Sequence, residues 1–345
     1  MAVKVALKQL VRDHPFENVT LPERMVWTSS SLRLFRKCKR KFFWKYIMRL
    51  RPRVKAGSLI VGTAFHEALG EWYRGRGSSM AAIAARHAKA AEDMAKSGVD
   101  FYDAEEYEKL SATIQTMVGM LTGYAEMYGN DRRLWQLDRD HVEVKFSVNC
   151  GDFDFQGKVD VLTSPRKKGG KPFIVEHKTA SKISSSFMER LPLDTQVRAY
   201  IFGGTDIQLN RGQSPPAEVL YDVVRKCGLK RKADEPIADF NNRISLDYQA
   251  RPDFYFMRES LRFEKADILA FEHEMHATHR EFLAILAGEY GDPRDPRSWG
   301  PNDSTCNEYF RTCENFQLCS VGLDRGTAIA FEQDEDMHEE LSEEV

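Results

Sequence analysis

The spacing of apolar residues changes along the chain and separates helical from strand-forming parts. Over residues 79–130 alanine is frequent and apolar residues recur every three or four positions, which predicts helices. Over 142–163 apolar and polar residues alternate, which predicts strands. Apolar runs at 173–175 and 219–224 predict two further strands, and the Gly- and Pro-containing stretch before the first of them predicts a turn.

Helices are predicted on both sides of these strands. Residues 28–31 supply N-cap candidates, so a helix is expected to begin near Ser30. Gly57 and Gly62 are expected to break the chain before a second helix that follows Thr63. Further helices are predicted over 194–202 and 264–286. Because helices precede and follow a central run of strands, the sequence predicts an α/β fold with a mixed sheet.

Composition limits the class of protein. The 345 residues suffice for roughly two domains. With 42% apolar and 30% charged residues the chain can form a core, which excludes wholesale disorder. No apolar run approaches the ~18 residues of a membrane span, and the N-terminus has no secretory signal, so a cytoplasmic protein is expected. Six cysteines are too few for a disulfide scaffold.

The formal net charge of −2 conceals an asymmetry. Residues 332–345 carry eight acidic side chains and no Lys or Arg. Subtracting those eight charges from −2 leaves +6 on residues 1–331. We expect the acidic tail to be solvated and mobile, the alternative being that it competes with nucleic acid for the basic body.

Two basic stretches are candidates for nucleic-acid contact. Residues 33–55 carry eleven Lys or Arg, no acid and five interleaved aromatics, and 225–232 form a second basic cluster. Basic side chains suit a phosphate backbone and aromatics can stack on unpaired bases, although a solvated helix face is the alternative. The candidate DNA contacts are Arg36, Lys37, Arg40, Lys41, Arg225 and Lys226. No helix-turn-helix or zinc-finger pattern predicts sequence-specific binding.

Two carboxylates and a lysine are predicted to share one patch of the sheet. Side chains alternate along a strand, so Glu176 and Lys178 share one face and His177 points the other way. The loop before them centres near residue 168, so a symmetric hairpin pairs residues whose numbers sum to 336. That register sets Asp160 opposite Glu176, with Cβ atoms ~5 Å apart.

This patch suggests phosphodiester chemistry. Two such close carboxylates repel unless a cation lies between them, and oxygen ligands suit Mg²⁺ or Mn²⁺. Such an ion can polarise a phosphodiester and generate hydroxide, while a neighbouring lysine stabilises developing charge. The alternative for these residues alone is a solvated strand face.

Several short motifs occur in an order that resembles a known family. In chain order they are Ser29-Ser30-Ser31-x-x-x-Phe35-x-x-Cys38-x-x-x-Phe42, Gly62-Thr63-x-x-His66, Gly157-x-x-Asp160, Glu176-x-Lys178, Gln196-x-x-x-Tyr200, Tyr221-Asp222-Val223-Val224-Arg225-Lys226 and Phe256-x-Arg258. This order resembles the RecB-like branch of the PD-(D/E)XK nuclease superfamily over roughly residues 28–320, with Lys39 standing where a proline is frequent. The resemblance implies a restriction-endonuclease-like fold, in which helices flank a mixed central sheet, with a helical insertion and a C-terminal cysteine-cluster region.

The resemblance also implies roles for individual residues. The implied metal ligands are His66, Asp160, Glu176 and the backbone carbonyl of His177. The implied catalytic residues are Asp160, Glu176, Lys178, Gln196 and Tyr200. Gln196 and Tyr200 stand four apart in a predicted helix and therefore share a face. Taken alone, His66 and Gln196 could be ordinary polar surface residues and Tyr200 a half-buried one.

Three cysteines follow the nuclease motifs at wide spacing, Cys306-x6-Cys313-x5-Cys319. Four thiolates can hold a [4Fe–4S] cluster or zinc, and structural zinc usually prefers closer pairs. Iron–sulfur members of the RecB-like branch have one cysteine before the nuclease motifs and three after them. The resemblance therefore implies a [4Fe–4S] cluster on Cys38, Cys306, Cys313 and Cys319, with unligated thiols as the alternative. Cys150 and Cys227 are expected to be ordinary thiols.

These features predict a Mg²⁺- or Mn²⁺-dependent DNA exonuclease that acts on single-stranded or frayed ends, with 5′→3′ polarity suggested by the resemblance. The alternatives are a non-catalytic DNA-binding subunit of a recombination or CRISPR-adaptation complex, and a zinc-stapled interaction protein. The absence of G-x-x-x-x-G-K-[ST] disfavours a nucleotide-driven motor. The expected segments are an N-terminal extension (1–27), a basic helical segment with Cys38 and His66 (28–78), a helical insertion (79–135), the nuclease core (136–263), a C-terminal helix and cysteine region (264–325) and a disordered acidic tail (326–345).

Overall fold

The structure is a computed structural model, and it describes residues 16, 19–53, 57–75, 78–97, 104–135, 137, 139–163, 171–308, 311–334, 337–338 and 341. The strands are β1 (Met25–Trp27), β2 (Leu50–Pro52), β3 (Val142–Asn149), β4 (Phe153–Leu162), β5 (Ile174–Ala180), β6 (Glu218–Arg225), β7 (Phe256–Arg262), β8 (Asn307–Glu308), β9 (Arg311–Thr312) and β10 (Phe331–Gln333).

The helices lie before, between and after these strands. They are α1 (Ser29–Lys37), α2 (Lys39–Phe42), α3 (Gly57–Arg74), α4 (Met80–Ser97), α5 (Ala104–Tyr128), α6 (Asp131–Trp135), α7 (Ser185–Glu189), α8 (Thr195–Asn210), α9 (Ile237–Ala250), α10 (Pro252–Tyr255), α11 (Lys265–Leu286), α12 (Phe316–Ser320) and α13 (Arg325–Ala328). A π-helix, Phe43–Ile47, follows α2 directly. None of the helices in the described ranges is long and apolar enough to cross a membrane.

The main sheet is mixed, as predicted. Its strand order is β1-β4-β5-β6-β7, and β3 pairs with β4. The β1–β4 and β5–β6 pairs are parallel, whereas β4–β5 and β6–β7 are antiparallel. This arrangement of helices around a mixed central sheet is that of a restriction-endonuclease-like α/β fold.

The chain forms two compact units. The first comprises residues 1–53, 147–157 and 265–345, and the second comprises 54–146 and 158–264. The predicted segments follow the order of the chain, whereas each unit combines parts that lie far apart in sequence.

The first unit has an aromatic core. Its fully buried aromatic rings contact one another in edge-on, tilted or stacked geometry, with ring centres 5.1 to 6.5 Å apart; they are Trp27, Phe35, Phe42, Phe282 and Trp299. Thr28 caps α1 through a reciprocal capping box with Ser31, so the predicted helix start is confirmed. The five aromatics of the basic stretch are all buried, which leaves none of them free to stack on a base.

Part of the acidic tail is ordered in this unit. Strand β10 pairs antiparallel with β2, and the side chain of Phe331 is buried. Arg51 forms ion pairs with Glu332 and Asp334 at 3.0 and 3.7 Å. The expectation of a disordered tail is therefore wrong for this stretch, because a buried aromatic and paired charges hold it. The remaining tail residues apart from 337, 338 and 341 lie outside the described residues, as does most of the N-terminal extension.

The second unit packs helices α3, α5 and α9 around β5 and β6. Its core includes Phe65, Leu121, Val175, Ile244 and Tyr248, all fully buried. Helices α5 and α9 approach closely at Gly119, where an added Cβ would lie 2.6 Å from the carbonyl oxygen of Asn241 and 2.7 Å from Cβ of Ile244. Only glycine allows this separation without rearrangement.

Some predicted element boundaries are wrong. Helix α3 begins at Gly57 and runs through Gly62, because the cost of one glycine, about 1 kcal/mol, is small against the burial of the helix's apolar face. The prediction of helices over 79–130 is confirmed by α4 and α5. Helix α9 and strand β7 were not predicted.

Candidate active site

The hairpin of β4 and β5 brings the two predicted carboxylates to neighbouring strands. Val161 pairs with Val175 and Leu162 with Ile174. The residue numbers of both pairs sum to 336, so the predicted register is confirmed for these two pairs. The loop residues 164–170 lie outside the described residues. Oδ2 of Asp160 accepts a hydrogen bond of 2.9 Å from the backbone N–H of His177. This bond ties one carboxylate directly to the strand that carries the other.

Glu176 and Lys178 meet on one face of β5, as alternation predicts. The Glu176 side chain is fully buried, and its Oε1 forms an ion pair with Nζ of Lys178. Oε2 of Glu176 has no hydrogen-bond partner among the described residues. An anionic buried oxygen without a partner is costly unless a cation or proton supplies one.

Helix α8 holds the ammonium group of Lys178 in place. The Lys178 Nζ donates to Oε1 of Gln196 at 2.9 Å, and Nε2 of Gln196 donates to the Tyr200 hydroxyl at 3.0 Å. The N-cap Asp194 accepts hydrogen bonds from the backbone N–H groups of Gln196 and Val197. Because the cap fixes where α8 begins, it also fixes the position of Gln196 relative to β5.

His66 reaches the same place from helix α3. Its Nδ1 lies 3.5 Å from Oδ2 of Asp160. The structure thus brings together the side chains of all the predicted catalytic residues and of the predicted ligand His66. His177 lies between Glu176 and Lys178 on β5, and metal binding by its carbonyl oxygen stays a prediction.

The pKa values of the two carboxyl groups are shifted in opposite directions. Burial and the negative charge of Asp160 raise the pKa of Glu176, although Lys178 acts against this. Burial also works to raise the pKa of Asp160, but the hydrogen bond with His66 and nearby positive charges lower it below its usual value. Burial lowers the pKa of Lys178 less than the two carboxylates raise it, so this lysine stays charged. The patch therefore holds one ionised carboxylate, one ammonium and one carboxyl that retains a proton easily.

The donor set fits a hard divalent cation. Among the described residues no group of three or more His, Cys, Asp and Glu side chains stands close enough together to hold a metal ion as arranged. The oxygens of Asp160 and Glu176 nevertheless lie on neighbouring strands, and the unpartnered Oε2 of Glu176 is an available ligand atom. Carboxylate oxygens of this kind suit Mg²⁺ and Mn²⁺, with His66 beside them.

A buried polar network lies on the opposite face of β5. Nδ1 of His177 lies 3.2 Å from Oδ2 of Asp222, a fully buried carboxylate on β6. Asp222 also accepts hydrogen bonds from the guanidinium of Arg258 at 2.9 Å and from the Tyr124 hydroxyl at 2.6 Å. Arg258 extends the network to Asp131 at 2.7 Å.

No role for this network was predicted from the sequence. Asp222 stands within an apolar run on β6, and a carboxylate at such a position requires buried partners. That signal was visible in the sequence, but its partners come from α5, α6 and β7, which packing alone brings together. The network holds the His177 ring and thereby the strand segment that carries Glu176 and Lys178.

The N-terminal DNA-contact candidates are engaged within the first unit. Arg36 donates to the Thr278 hydroxyl, Lys37 pairs with Glu308, Arg40 donates to the carbonyl oxygens of Pro296 and Trp299, and Lys41 pairs with Glu314 at 2.8 Å. These contacts connect α1 and α2 to the C-terminal part of the unit. Arg225 and Lys226 lie in the second unit, at and just after the end of β6.

The four predicted cluster cysteines all belong to the first unit. Cys38 and Cys313 line one cavity of about 150 Å³ together with Lys41, and Cys319 lines another of about 360 Å³. Burial raises the pKa of the Cys319 thiol, and the neighbouring Cys38 and Cys313 raise it further. Cys306 connects to Cys313 through a backbone hydrogen bond of 2.8 Å. Among the described residues no three of these cysteines stand close enough together to hold a metal ion as arranged.

Fold and site together define an α/β protein with a nuclease-type carboxylate–lysine patch. The family model of the PD-(D/E)XK nuclease superfamily matches residues 26–314. The chain therefore belongs to the PD-(D/E)XK nuclease superfamily. This membership supports a nuclease, and a nuclease of this family acts on DNA.

Comparison with curated proteins finds no match. Among solved structures, SSO0001 is 11% identical with a TM-score of 0.30, and the match covers 86% of this chain and 89% of that one. A protein from Eubacterium rectale named "Putative exonuclease" is 9% identical with a TM-score of 0.41, covering 87% and 94%. With TM-scores below 0.5, these two likenesses add nothing to the family assignment.

Proposed function

We propose that this protein is a Mg²⁺- or Mn²⁺-dependent DNA exonuclease that removes nucleotides from single-stranded or frayed ends. The observation that carries the hydrolytic part is the buried Glu176 carboxylate, which has one oxygen paired with Lys178 and the other without a partner. Action at ends, and the suggested 5′→3′ polarity, rest on the resemblance of the motif order to RecB-like enzymes.

The residues of the site would have three roles: metal binding, charge stabilisation and positioning of the lysine. Asp160, Glu176 and His66 would hold the divalent ion, which supplies Lewis-acid activation of the phosphodiester and of a water molecule. Lys178, kept charged by the two carboxylates, would orient the attacking water or stabilise the charge that develops on the phosphate. Gln196 and Tyr200 would keep the ammonium in that position through their hydrogen-bond chain.

A [4Fe–4S] cluster held by Cys38, Cys306, Cys313 and Cys319 is the second part of the proposal. It is supported by the presence of all four cysteines in one unit, where Cys38 and Cys313 line the same cavity. Its role would be structural, because it would connect α1 and α2 to the C-terminal segment and add the binding free energy to folding. Zinc in the same thiols is the alternative outcome.

The test is cleavage of end-labelled single-stranded and duplex DNA, and of unlabelled covalently closed circular DNA, with Mg²⁺, Mn²⁺ or EDTA. We expect metal-dependent loss of linear DNA, faster for single strands, with the circle intact and Asp160→Asn inactive. Cutting of the circle would show that the protein is an endonuclease and not an exonuclease. Binding without any cleavage would favour a non-catalytic DNA-binding subunit.

The cluster is tested on protein purified without oxygen. Broad visible absorbance with about four irons per chain, lost in Cys313→Ser, supports a [4Fe–4S] cluster. Colourless protein that contains zinc would identify the zinc-stapled alternative, and metal-free thiols would reject both.

A further inference from the structure

An exposed phenylalanine stands beside two arginines near the active-site strands. The side chain of Phe254, on the short helix α10, is 44% exposed. The guanidinium carbon of Arg225 lies 4.0 Å from the centre of its ring, and that of Arg251 lies 4.8 Å away. Arg251 is also paired with Asp247, whereas Arg225 forms no ion pair among the described residues. An exposed aromatic with a guanidinium that lacks an acidic partner is a surface on which a nucleobase can stack.

The position of this surface relative to Lys178 follows from the strand register. In the parallel pair of β5 and β6, Lys178 is opposite Val223 and Ala180 is opposite Arg225. Arg225 therefore starts from the same face of the sheet as Lys178, two residues further along and on the next strand. That offset separates their Cα atoms by roughly 8 Å. At the ~3.4 Å rise of a stacked strand, a backbone offset of this size brings the Phe254 surface within a few nucleotides of Lys178.

The aromatic surface is held rigidly from behind. The Tyr248 hydroxyl donates to the carbonyl oxygen of Arg225, and its ring stacks on that of Tyr255 with centres 3.9 Å apart. Arg251 donates to the Tyr255 hydroxyl at 3.0 Å. Pro252 begins α10 and restricts the backbone just before Phe254. A surface ordered in advance loses little conformational entropy when it binds a ligand.

Charge around the surface suits a phosphate backbone. Lys230 and Arg231 are exposed and form no ion pair among the described residues. Among the acidic residues close by along the chain, Glu235 is bound by Arg243 at 2.7 Å and Asp247 by Arg251, while Asp253 next to Phe254 is exposed. A strand that approaches the site thus meets unpaired positive charge and an aromatic ring, which favours non-specific binding of a flexible single strand.

We propose that Phe254, together with Arg225 and Arg251, forms a stacking subsite for one unpaired base of the DNA strand, a few nucleotides from the phosphate that reacts beside Lys178. The inference rests on the proposed nuclease function and extends it, because the subsite selects a single-stranded segment over an intact duplex. In a duplex each base is already stacked and paired, so its face is not available to the Arg–Phe surface.

The test compares Phe254→Ala with Leu246→Ala, which removes a similarly exposed apolar side chain, 54% exposed, from helix α9. Affinity for a fluorescein-labelled oligothymidylate and for a duplex of the same length is measured on the full chain in EDTA. We expect Phe254→Ala to weaken single-strand binding about tenfold, or about 1.4 kcal/mol, with duplex binding and the melting temperature unchanged. Leu246→Ala should bind both ligands like the parent protein.

Phe254→Trp provides an independent readout. It should retain single-strand affinity, and the oligothymidylate should quench its additional tryptophan fluorescence relative to the parent protein. Equal single-strand affinity in Phe254→Ala and the parent, or equal losses for both DNA forms, would overturn the subsite. If the parent binds single strands through Phe254 but cleaves nothing with Mg²⁺ or Mn²⁺, the nuclease proposal fails and the subsite stands.

Discussion

The backbone N–H of His177 donates a 2.9 Å hydrogen bond to Oδ2 of Asp160. The contact couples the Asp160 side chain on β4 to the main chain of β5 at His177, the residue between Glu176 and Lys178. Every substitution of His177 except proline keeps this main-chain donor, so the carboxylate of Asp160 keeps its place as long as the strand register holds. The spacing of the site is therefore a property of the sheet, and side chains supply its charge.

Removing the lysine should separate catalysis from binding. In Lys178→Ala we expect cleavage to fall by about 10²-fold or more, because the group that faces developing phosphate charge is lost. Binding of single-stranded DNA in EDTA should stay close to that of the parent. The control is Lys182→Ala, which removes an exposed lysine shortly after the same strand. Undiminished turnover in Lys178→Ala would exclude this residue from the mechanism.

Metal binding should strengthen as pH rises. Burial and the charge of Asp160 raise the pKa of Glu176, so at lower pH a cation must displace a proton before it can bind. Without metal, the same raised pKa means that the folded state holds this proton more tightly than the unfolded one. The contribution of Glu176 to stability therefore decreases as pH rises through the folded-state pKa.

The measurement is the increase in melting temperature on adding Mg²⁺ or Mn²⁺. We expect a larger increase at mildly alkaline than at mildly acidic pH, since binding to the folded state stabilises it. Glu176→Gln should show little increase at either pH. A metal-induced increase that is larger at acidic pH would contradict the assignment of Glu176 as a ligand.

The buried network should contribute strongly to stability. Asp222→Ala removes the buried acceptor of the Tyr124 hydroxyl and one of the two carboxylates that pair with Arg258, which should cost about 1–3 kcal/mol of unfolding free energy. The matched control is Glu218→Gln on the same strand, whose contact with the exposed Arg262 is 3.8 Å long and should contribute less than about 1 kcal/mol. Urea unfolding measures the free energy of unfolding of both variants. Equal losses in the two variants would show that the buried network contributes no more to stability than an exposed ion pair.

Two glycine substitutions should change the free energy of unfolding in opposite directions. In Gly119→Ala the new methyl group would overlap the backbone of α9, and we expect a loss of about 1–3 kcal/mol. In Gly62→Ala nothing lies within 4 Å of the added carbon inside helix α3, so a gain of about 0.5–1 kcal/mol is expected. Thermal and urea unfolding report both signs, and stabilisation by Gly119→Ala would show that the helices can move apart.

The sequence by itself determined the local geometry of the site. Alternation in β5 separated Glu176 and Lys178 from His177, and the symmetry of the hairpin gave the register that sets Asp160 beside them. The four-residue spacing of Gln196 and Tyr200 placed both on one face of α8, where they are hydrogen-bonded. These relationships depend only on the periodicity of a strand, a hairpin or a helix, which the order of residues already contains.

Only the tertiary structure decided which distant segments meet. It brought His66 to Asp160, connected Asp222 to Arg258 and Tyr124, buried the aromatics of the basic stretch, and paired β10 with β2. These contacts join residues from 36 to more than 280 positions apart. Their partners are selected by the packing of helices and strands around a common core, and no local pattern in the chain specifies that packing.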